Sequence, residues 1–539
     1  MSKIFFLKDI NPEGINTNNE VYKFSDFYGK KIDLIKFLLF EKRDEFEFRT
    51  NDFYKTRWSL IYVILLYINP SCKKYIVDNF SSKRVNFWFI IKYIYIITIS
   101  IFIQVISFFI YFILLFFILI YPRKKLKINN IKSLIFYRSN PVFNLTAGGA
   151  LGHIIGVING FIENNIDVSF IGIDRVLGIN NSVGINIIHP RKYLFSFPIL
   201  SSMETSVRNF AFIYFKKHLD KSKTSALYYR ITAFDITPLI LNLVFRIPLI
   251  VEFNSFLEWE HRNNGEGFRL KMKFISYIEN LILKNASLIV CVSDELKNQL
   301  IKRGFCSKKV FYCSNGVDVN KFKDLKVNKV LSKSLKLDNH KVIGFVGTFG
   351  PWHGIDLLCE TIEEFNKNNL KHEVKFLLVG DGSLRKFAED NLSCFDNVVF
   401  TGKVHFQDIT DYLNLCDILI SPHKLPSSEK VFIGSPTKLF EYLAMKKIVI
   451  GTDLGQIKEI ISPAIDFTKS TKNIKITKQE VGIIASQTPF SLAESINFAL
   501  ENFDKLEFLK DNSYRKVISE YTWEKKVNLI LNTFYESYQ

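Results

Sequence analysis

The sequence lacks the features that mark metal-binding, disulfide-linked and secreted proteins. Its seven cysteines are scattered and no two form a Cys-x-x-Cys pair, which argues against a disulfide framework or a zinc site. The nine histidines include no His-x-x-x-His pair, and no Asp-x-Asp motif follows a strand-like run, so we predict no bound metal. The apolar run near the N-terminus is too short for a signal peptide.

Two further classes of function are disfavoured. The chain has no zinc-finger spacing, basic helix or RNA-binding aromatic signature, so its net charge of +18 does not indicate nucleic acid. The charge suits an anionic membrane surface or phosphorylated substrates instead. No strand–Gly-x-Gly-x-x-Gly–helix unit precedes an acidic residue, which argues against dinucleotide oxidoreduction. The length of 539 residues predicts about three domains.

One long apolar run interrupts the globular composition. Residues 85–122 contain a single charged residue, Lys92, and exceed the roughly 20 residues that a membrane span requires. Basic residues flank both ends of this membrane segment, which favours a hairpin or re-entrant geometry with both ends in the cytoplasm. A single tilted helix and a helix lying partly in the interface are the alternatives. The N-terminal region, residues 1–84, is expected to be helical and has no assigned role.

From residue 131 onward, short apolar runs alternate with amphipathic segments, which predicts parallel α/β sheets. The pattern pauses over a polar, lysine-rich stretch at residues 326–341 and then restarts. We therefore predict an α/β fold with two doubly wound, Rossmann-like domains facing a cleft, at residues 131–325 and 341–510. A C-terminal helix within residues 511–539 is expected to pack back on the first domain.

The most informative segment is residues 435–444, which follow a strand-like run and a polar loop. Ser435 is predicted to cap a helix and Pro436 to occupy its first position. Lys438 and Glu441 then project from one face of the first turns. The helix N-terminus and the Lys438 cation suit a phosphate, and Glu441 can accept hydrogen bonds from sugar hydroxyls. The alternative is an ordinary capped helix with an intrahelical Lys–Glu pair.

Several motifs follow one another along the second half of the chain. They are Ser-Asn-Gly-Val-Asp at residues 314–318, the glycine-rich loop at residues 345–356, Val-Gly-Asp-Gly at residues 379–382, and residues 435–444 with the loop at 451–455. In this order they resemble the donor domain of a retaining, family-four glycosyltransferase of the GT-B fold. The glycine turn at residues 148–153 resembles the acceptor-domain loop of the same family. The resemblance runs from about residue 131 to the C-terminus.

This resemblance implies a site for a nucleotide diphosphate sugar in the second domain. Glu441 corresponds to the second Glu of the family's E-x7-E motif, which binds the ribose, whereas Ile433 occupies the place of the first Glu. Thr348 and His353 replace the Arg and Lys of the family's first donor loop. Lys438 thus becomes the main counter-charge for the diphosphate, with His353 as a second donor whose unperturbed pKa is about 6.5. The predicted donor-binding residues are Gly347, Thr348, His353, Gly434, Ser435, Pro436, Thr437, Lys438, Leu439 and Glu441.

The acceptor side is predicted in the first domain. Gly148 and Gly149 are either an ordinary turn or a bare backbone that a sugar or phosphate can approach. His153, which follows them, and Arg230 are further acceptor-side candidates, although a histidine inside a helix is more often structural. The predicted catalytic residues are Glu252, Asn254 and His353. For Glu252 and Asn254, whose Glu-x-Asn pattern resembles that of a subgroup of the family, the alternative is burial in a hydrogen-bond network.

The resemblance and the apolar run together predict a membrane-associated retaining glycosyltransferase at the cell membrane, with its catalytic domains on the cytoplasmic side. The expected partners are a nucleotide sugar and a lipid-linked or membrane-proximal glycan acceptor in surface polysaccharide biosynthesis. No cofactor besides the nucleotide sugar co-substrate is expected, and catalysis is predicted to be metal-independent. Two alternatives stay open. One is a GT-B nucleotide-sugar epimerase, and the other is a non-catalytic GT-B-like scaffold subunit of a polysaccharide assembly complex.

Overall fold

A computed structural model describes most of the chain as two compact units. The described residues are 3–8, 20–23, 31–50, 59–78, 81–121, 130–139, 148–173, 176, 178–179, 183–188, 198–215, 224–263, 268–323, 325–368, 373–405, 407–425, 431–469 and 474–537. The first unit comprises residues 1–125, 188–220 and 232–246. The second comprises residues 126–187, 221–231 and 247–539.

The first unit contains a five-stranded sheet that the sequence did not indicate. Its strands are β1 (Lys3–Lys8), β2 (Glu20–Lys23), β3 (Glu45–Thr50), β4 (Lys73–Asp78) and β5 (Ser81–Arg84), in the order β2-β1-β3-β4-β5. All neighbours pair in parallel except β4 and β5. Two helices, α1 (Lys31–Phe40) and α2 (Ser59–Ile68), contribute Leu38 and Leu66 to a core with Phe46 and Phe48. The N-terminal region is therefore α/β as well as helical.

The apolar run forms one continuous helix, α3 (Phe87–Ile120), of 34 residues. It is long and apolar enough to cross a membrane by length and composition. Within the first unit it packs against α2, α5 (Pro198–Phe215) and α6 (Thr237–Phe245). The chain does not reverse between residues 87 and 120, so the hairpin and re-entrant alternatives do not describe this segment.

The second unit contains the two predicted parallel sheets. The first has the order β12-β11-β10-β9-β6-β7-β8, and all its neighbours pair in parallel. Its strands are β6 (Ser133–Arg138), β7 (Asp167–Gly172), β8 (Gly184–Ile187), β9 (Ala226–Arg230), β10 (Leu249–Phe253), β11 (Leu288–Cys291) and β12 (Val310–Tyr312). The helices among them in the second unit are α4 (Gly149–Glu163), α7 (Leu257–Asn263), α8 (Arg269–Asn285) and α9 (Asp294–Lys302).

The second parallel sheet has the order β15-β14-β13-β16-β17-β19-β18. Its strands are β13 (Lys341–Val346), β14 (Val374–Val379), β15 (Val398–Gly402), β16 (Ile418–Ser421), β17 (Ile448–Thr452), β18 (Ala464–Phe467) and β19 (Gly482–Ala485). Its helices are α10 (Lys329–Ser334), α11 (Ile355–Asn368), α12 (Arg385–Leu392), α13 (Ile409–Leu415), α14 (Thr437–Ala444), α15 (Gly455–Ile461), α16 (Pro489–Glu501) and α17 (Glu507–Glu520). Two doubly wound Rossmann-like domains are confirmed.

The last helix, α18 (Trp523–Glu536), returns to the first of these sheets and packs on α4. Trp523, Val527 and Phe534 join the hydrophobic core around that sheet. Helices α4 and α18 can pack closely because Gly156 and Gly160 of α4 lie against α18. A Cβ at Gly156 would overlap the Trp523 indole, and one at Gly160 would meet the Trp523 backbone. The final helix thus fastens the C-terminus of the chain to the first sheet.

We predict that Gly156→Ala destabilises the protein by about 1–3 kcal/mol, because the added methyl group overpacks the contact with Trp523. The midpoint of thermal unfolding should fall by several degrees. Gly184→Ala is the matched control, because the nearest atom to its Cβ is Ser169 Oγ at an ordinary 3.5 Å. Equal midpoints for the two variants would contradict the proposed close packing of α4 and α18.

Candidate functional site

Helix α14 begins one residue later than the sequence predicts. Pro436 is its N-cap residue, with extended backbone angles, and no side chain caps the helix. The hydroxyl of Ser435 instead accepts a hydrogen bond from the backbone N–H of Asn315, at 3.2 Å. The prediction that Ser435 caps the helix is therefore wrong, because a neighbouring segment engages that hydroxyl. The uncapped first turn is available to an anion.

Lys438 is a buried cation whose Nζ has no hydrogen-bond partner among the described residues. Nζ lies 4.0 Å from the centre of the Phe345 ring in β13. It also lies against the backbone of Gly347, where a Cβ would collide with it. Burial lowers the pKa of Lys438 to about 7, although the charge of Glu441 opposes this shift. The start of α14 and the loop after β13 therefore enclose a buried amine that has no hydrogen-bond partner in the described chain.

Glu441 lies on the same helix, three residues after Lys438, and is partly buried. Burial raises its pKa to about 7, while the charges of Lys321 and Lys438 act in the opposite direction. Because Lys438 Nζ has no partner in the described chain, the intrahelical Lys–Glu hydrogen bond of the alternative interpretation is not formed. Lys438 Nζ is thus left for contact with a ligand.

The other predicted donor-binding residues differ in how far they are exposed to solvent. Thr348 is exposed beside Gly347, whereas Gly434 and Thr437 are partly buried. The Leu439 side chain is buried in the hydrophobic core, so only its backbone is placed to contact a ligand.

His353 follows β13 and belongs to a chain of neutral side chains that are hydrogen-bonded to one another. Trp352 Nε1 donates to His353 Nε2 at 3.1 Å, and His353 Nδ1 lies 3.3 Å from His423 Nε2. His423 Nδ1 in turn lies 2.9 Å from the Ser421 hydroxyl. These contacts are all satisfied when each imidazole carries its single proton on Nδ1.

The charge state of His353 differs from the sequence-based expectation. Burial and then the positive charge of Lys438 lower the pKa of His353 to about 2. Burial, Lys438 and His353 likewise lower the pKa of His423 well below its usual value. His353 is therefore neutral before a ligand binds, because it shares a shielded site with a lysine. His423 was not among the predicted site residues, although its position just after the end of β16 indicates a place at the carboxyl edge of the sheet.

On the first sheet, Glu252 at the end of β10 is buried and surrounded by donors. Its Oε2 accepts from the Tyr228 hydroxyl at 3.1 Å and lies 2.8 Å from His153 Nε2. Its Oε1 accepts from Asn254 Nδ2 at 2.7 Å and lies 3.5 Å from Arg230 Nη1. Burial alone would raise the pKa of Glu252, but His153, Arg230 and these hydrogen bonds bring it to about 2. The structure thus unites four predicted site residues in one buried network around an ionised carboxylate.

Asn315 connects this network to α14. Its Oδ1 lies 2.6 Å from His153 Nδ1, and its Nδ2 donates to the Ser435 carbonyl at 2.7 Å. With the bond from its own N–H to the Ser435 hydroxyl, Asn315 holds the segment before α14 at two points. A continuous series of side-chain contacts therefore runs from Glu252 through His153 and Asn315 to the segment before α14. Asn315 lies in the Ser-Asn-Gly-Val-Asp motif, but the motif alone does not indicate a role for its side chain.

The two sheets of the second unit also meet at two other points beside α14. A Cβ at Gly149 would collide with the Thr437 side chain, so only a glycine allows the start of α4 to approach α14 this closely. Gly148 borders open space. Ser293 Oγ donates to the Ile433 carbonyl at 2.8 Å, at the position where the family has its first Glu. Gly149, Ser435 and Thr437 therefore lie along one junction between the two sheets, and His153 reaches it through Asn315.

Two family models match these two halves of the chain. The model described as Glycosyltransferase Family 4 matches residues 147–321, and the one described as Glycosyl transferases group 1 matches residues 340–502. Solved structures agree in fold. The chain therefore contains glycosyltransferase family 4 and group 1 domains, which together cover about residues 147–502, and it has the GT-B fold. The predicted resemblance to family-four enzymes and the predicted GT-B fold class are confirmed.

Two structural neighbours of this glycosyltransferase show the extent of the shared fold. HepE from Anabaena, in complex with UDP and glucose, superposes with a TM-score of 0.55 over 75% of this chain and 100% of its own, at 17% identity. A glycosyltransferase from Rickettsia africae gives a TM-score of 0.56 over 76% of this chain and 100% of its own, at 16% identity.

Curated relatives of this glycosyltransferase match shorter stretches. The putative teichuronic acid biosynthesis glycosyltransferase TuaH of Bacillus subtilis is 30% identical over 200 residues, which is 36% of this chain and 47% of TuaH. The uncharacterized glycosyltransferase MJ1178 of Methanocaldococcus jannaschii is 25% identical over 248 residues, covering 45% of this chain and 58% of its own. The chain thus spans about half the length of these relatives.

We predict that nucleoside diphosphate binding takes up a proton at Lys438. Without a ligand the pKa of Lys438 is about 7. A bound diphosphate raises this pKa, because its negative charge favours the protonated amine. At pH values below the pKa of Lys438 in the unliganded protein, the affinity for the diphosphate should not depend on the protonation of Lys438. The affinity should fall as the pH rises from this pKa towards the higher pKa that Lys438 has in the complex. Isothermal titration at pH near 7.5, in buffers of different ionisation enthalpy, measures the uptake.

Lys438→Met should abolish this proton uptake. Lys375→Met is the control, because Lys375 lies on β14 with its Nζ bonded to the Asp396 carbonyl. Equal uptake by the wild type and Lys438→Met would contradict the assignment.

We also predict that Asn315→Ala weakens nucleoside diphosphate binding by about tenfold, because it removes one of the two hydrogen bonds that hold the segment before α14, at a cost of about 1–2 kcal/mol. Fluorescence or calorimetric titration measures the affinity. Asn366→Ala is the matched control, since Asn366 exchanges side-chain hydrogen bonds with Asn397 on the same domain. If both variants bind as tightly as the wild type, Asn315 does not position α14.

Proposed function

We propose that this glycosyltransferase moves a sugar from a nucleoside diphosphate donor to a lipid-linked or membrane-proximal glycan, with retention of anomeric configuration, in surface polysaccharide assembly. The observation that carries the proposal is the buried Lys438 Nζ, which has no hydrogen-bond partner among the described residues, beside the uncapped start of α14. A buried amine without a hydrogen-bond partner costs stability, so the position is best explained by an anion that binds there.

The donor would bind with its diphosphate between the loop after β13 and the first turn of α14. Lys438 and the backbone N–H groups of that turn would hold the phosphate charge, and Glu441 would accept from the ribose hydroxyls. Neutral His353 would line the site beside the diphosphate, with its single proton donated to His423 and its Nε2 accepting from Trp352. The complexes of HepE with UDP and with UDP-glucose support a nucleotide sugar as the ligand. Lys438 and the helix would stabilise the departing diphosphate, so no metal ion is required for that step.

Glu252 is proposed to act by position and charge. Its carboxylate is ionised, and its lone pairs are engaged by Tyr228, His153 and Asn254. A group in these surroundings does not release a proton at neutral pH, so it is unsuited to general acid catalysis. The Glu252 carboxylate would orient His153 and, through Asn315, helix α14. Its negative charge would also stabilise the positive charge that develops on the sugar ring.

The acceptor is proposed from chemistry and from relatives together. TuaH and TuaC are named as putative teichuronic acid biosynthesis glycosyltransferases, which supports a polysaccharide pathway. The long apolar helix α3 and the net charge of +18 support work at an anionic membrane surface, on its cytoplasmic side where nucleotide sugars are made.

A non-catalytic scaffold is the second candidate, and one observation favours it. Ile433 stands where the family has a Glu, and its carbonyl is already engaged by Ser293. A scaffold would bind none of the common nucleotide sugars, whereas a transferase binds at least one. An epimerase would convert its nucleotide sugar without any acceptor, so dependence of turnover on added membrane lipid separates it from a transferase.

We predict that Lys438→Met lowers glycosyl transfer by about 100-fold or more, because one preorganised charge on the leaving group is worth about this factor. Membranes containing the protein would be incubated with a panel of nucleotide sugars, and glycosylated lipid would be quantified by mass spectrometry. Lys375→Met should transfer at the wild-type rate. Near-normal transfer by Lys438→Met would overturn the site, and the absence of any product or binding with the wild type would favour the scaffold.

A further inference from the structure

Helix α3 has two opposite faces with different surroundings. The first face is buried and repeats at seven-residue intervals: Ile97, Gln104, Tyr111 and Ile118. The second face repeats at the same interval and is exposed: Phe102 (66%), Phe109 (62%) and Phe116 (58%). Positions two residues apart point about 200° away from each other, so these faces lie on opposite sides of the helix. Protein covers one side, and large aromatic groups project from the other.

The buried face is occupied by protein along most of the helix. Near its start, Tyr93 and Ile97 belong to the hydrophobic core of the five-stranded sheet. Further along, Gln104 Nε2 donates to Ser201 Oγ on α5 at 3.2 Å, and Ser107 is also buried. From residue 93 to residue 118 the covered length is about 38 Å, which exceeds the roughly 30 Å hydrocarbon thickness of a bilayer. A crossing helix would carry this packed protein into the hydrocarbon.

The length of α3 and the charges at its ends argue against crossing as well. Its 34 residues measure about 51 Å, so matching a 30 Å core needs a tilt of about 54°, beyond the usual range of roughly 0–40°. Basic residues stand at both ends of the apolar run: Lys83 and Arg84 before it, and Arg123, Lys124, Lys125 and Lys127 after it. Positive residues favour the cytoplasmic side, so both ends belong on the same side.

We propose that α3 lies in the plane of the cytoplasmic leaflet, with the face of Phe102, Phe109 and Phe116 inserted at the boundary of headgroups and acyl chains. The basic residues at its two ends contact anionic headgroups. The partner of this surface is an anionic lipid bilayer. The inference specifies how the membrane association in the proposed function is made, and it does not depend on which sugar is transferred.

Three native cysteines test this arrangement in the unmodified chain. Cys72 precedes α3, Cys306 and Cys394 follow it, and all three are exposed. A membrane-impermeant maleimide would be applied to intact spheroplasts and to inside-out vesicles, and labelled peptides would be identified by mass spectrometry. An in-plane helix predicts that all three are protected in spheroplasts and labelled in inside-out vesicles. Labelling of Cys72 from the side opposite to Cys306 and Cys394 would overturn the proposal.

A second experiment tests the inserted face. Phe102→Ser, Phe109→Ser and Phe116→Ser together should shift most of the protein from vesicles containing anionic lipid to the supernatant in a flotation assay. The control combines Phe268→Ser, Phe387→Ser and Phe490→Ser, three exposed phenylalanines of the second unit, and should float like the wild type. Circular dichroism spectra and thermal unfolding midpoints that match those of the wild type show that both variants are folded. Flotation of the α3 variant as strong as that of the wild type would overturn the inserted face.

The outcomes separate this inference from the proposed function. Absence of the wild-type protein from membranes would overturn both the in-plane helix and membrane association. Opposite-side labelling would overturn the in-plane helix alone, and loss of glycosyl transfer would leave the labelling result unaffected.

Discussion

The geometry of the site depends on holding Lys438 where its Nζ has no hydrogen-bond partner among the described residues. Gly347 is required because any side chain there would displace Nζ, and the Phe345 ring supplies only a weak partner for the cation. The same charge, after burial, keeps His353 and His423 neutral. The donor side is therefore electrostatically incomplete by itself, as expected of a site that binds a polyanion and must later release it.

The position of that cation is fixed from the other sheet. Asn315 binds the segment before α14 through Ser435, and its Oδ1 meets His153, which in turn contacts the ionised Glu252. The path is buried at both Glu252 and His153, so its groups cannot exchange their partners for water without cost. The first sheet of the second unit therefore sets the orientation of α14, the helix that carries Lys438.

The sequence predicted the two parallel sheets of the second unit and the helix around Lys438, because apolar strand runs and glycine turns are local signals. It missed the five-stranded sheet, whose strands are only four to six residues long. The alternation of charged and apolar residues in β3 was a usable strand signal, whereas β4, Lys-Lys-Tyr-Ile-Val-Asp, has no such alternation. The sequence also placed Ser435 as a cap, since the competing donor, Asn315, is 120 residues away in the chain. The neutral state of His353 and the role of His423 follow from burial beside Lys438, which no spacing reveals. The single-helix form of α3 required the structure, because basic residues at both ends suit a hairpin equally well.

The most direct test of the central claim is a structure of the full chain bound to a nucleoside diphosphate. The account predicts that the terminal phosphate lies within hydrogen-bond distance of Lys438 Nζ and of backbone N–H groups in the first turn of α14, with the ribose hydroxyls on Glu441. A diphosphate bound elsewhere, with Lys438 Nζ still unpartnered over the Phe345 ring, would contradict it.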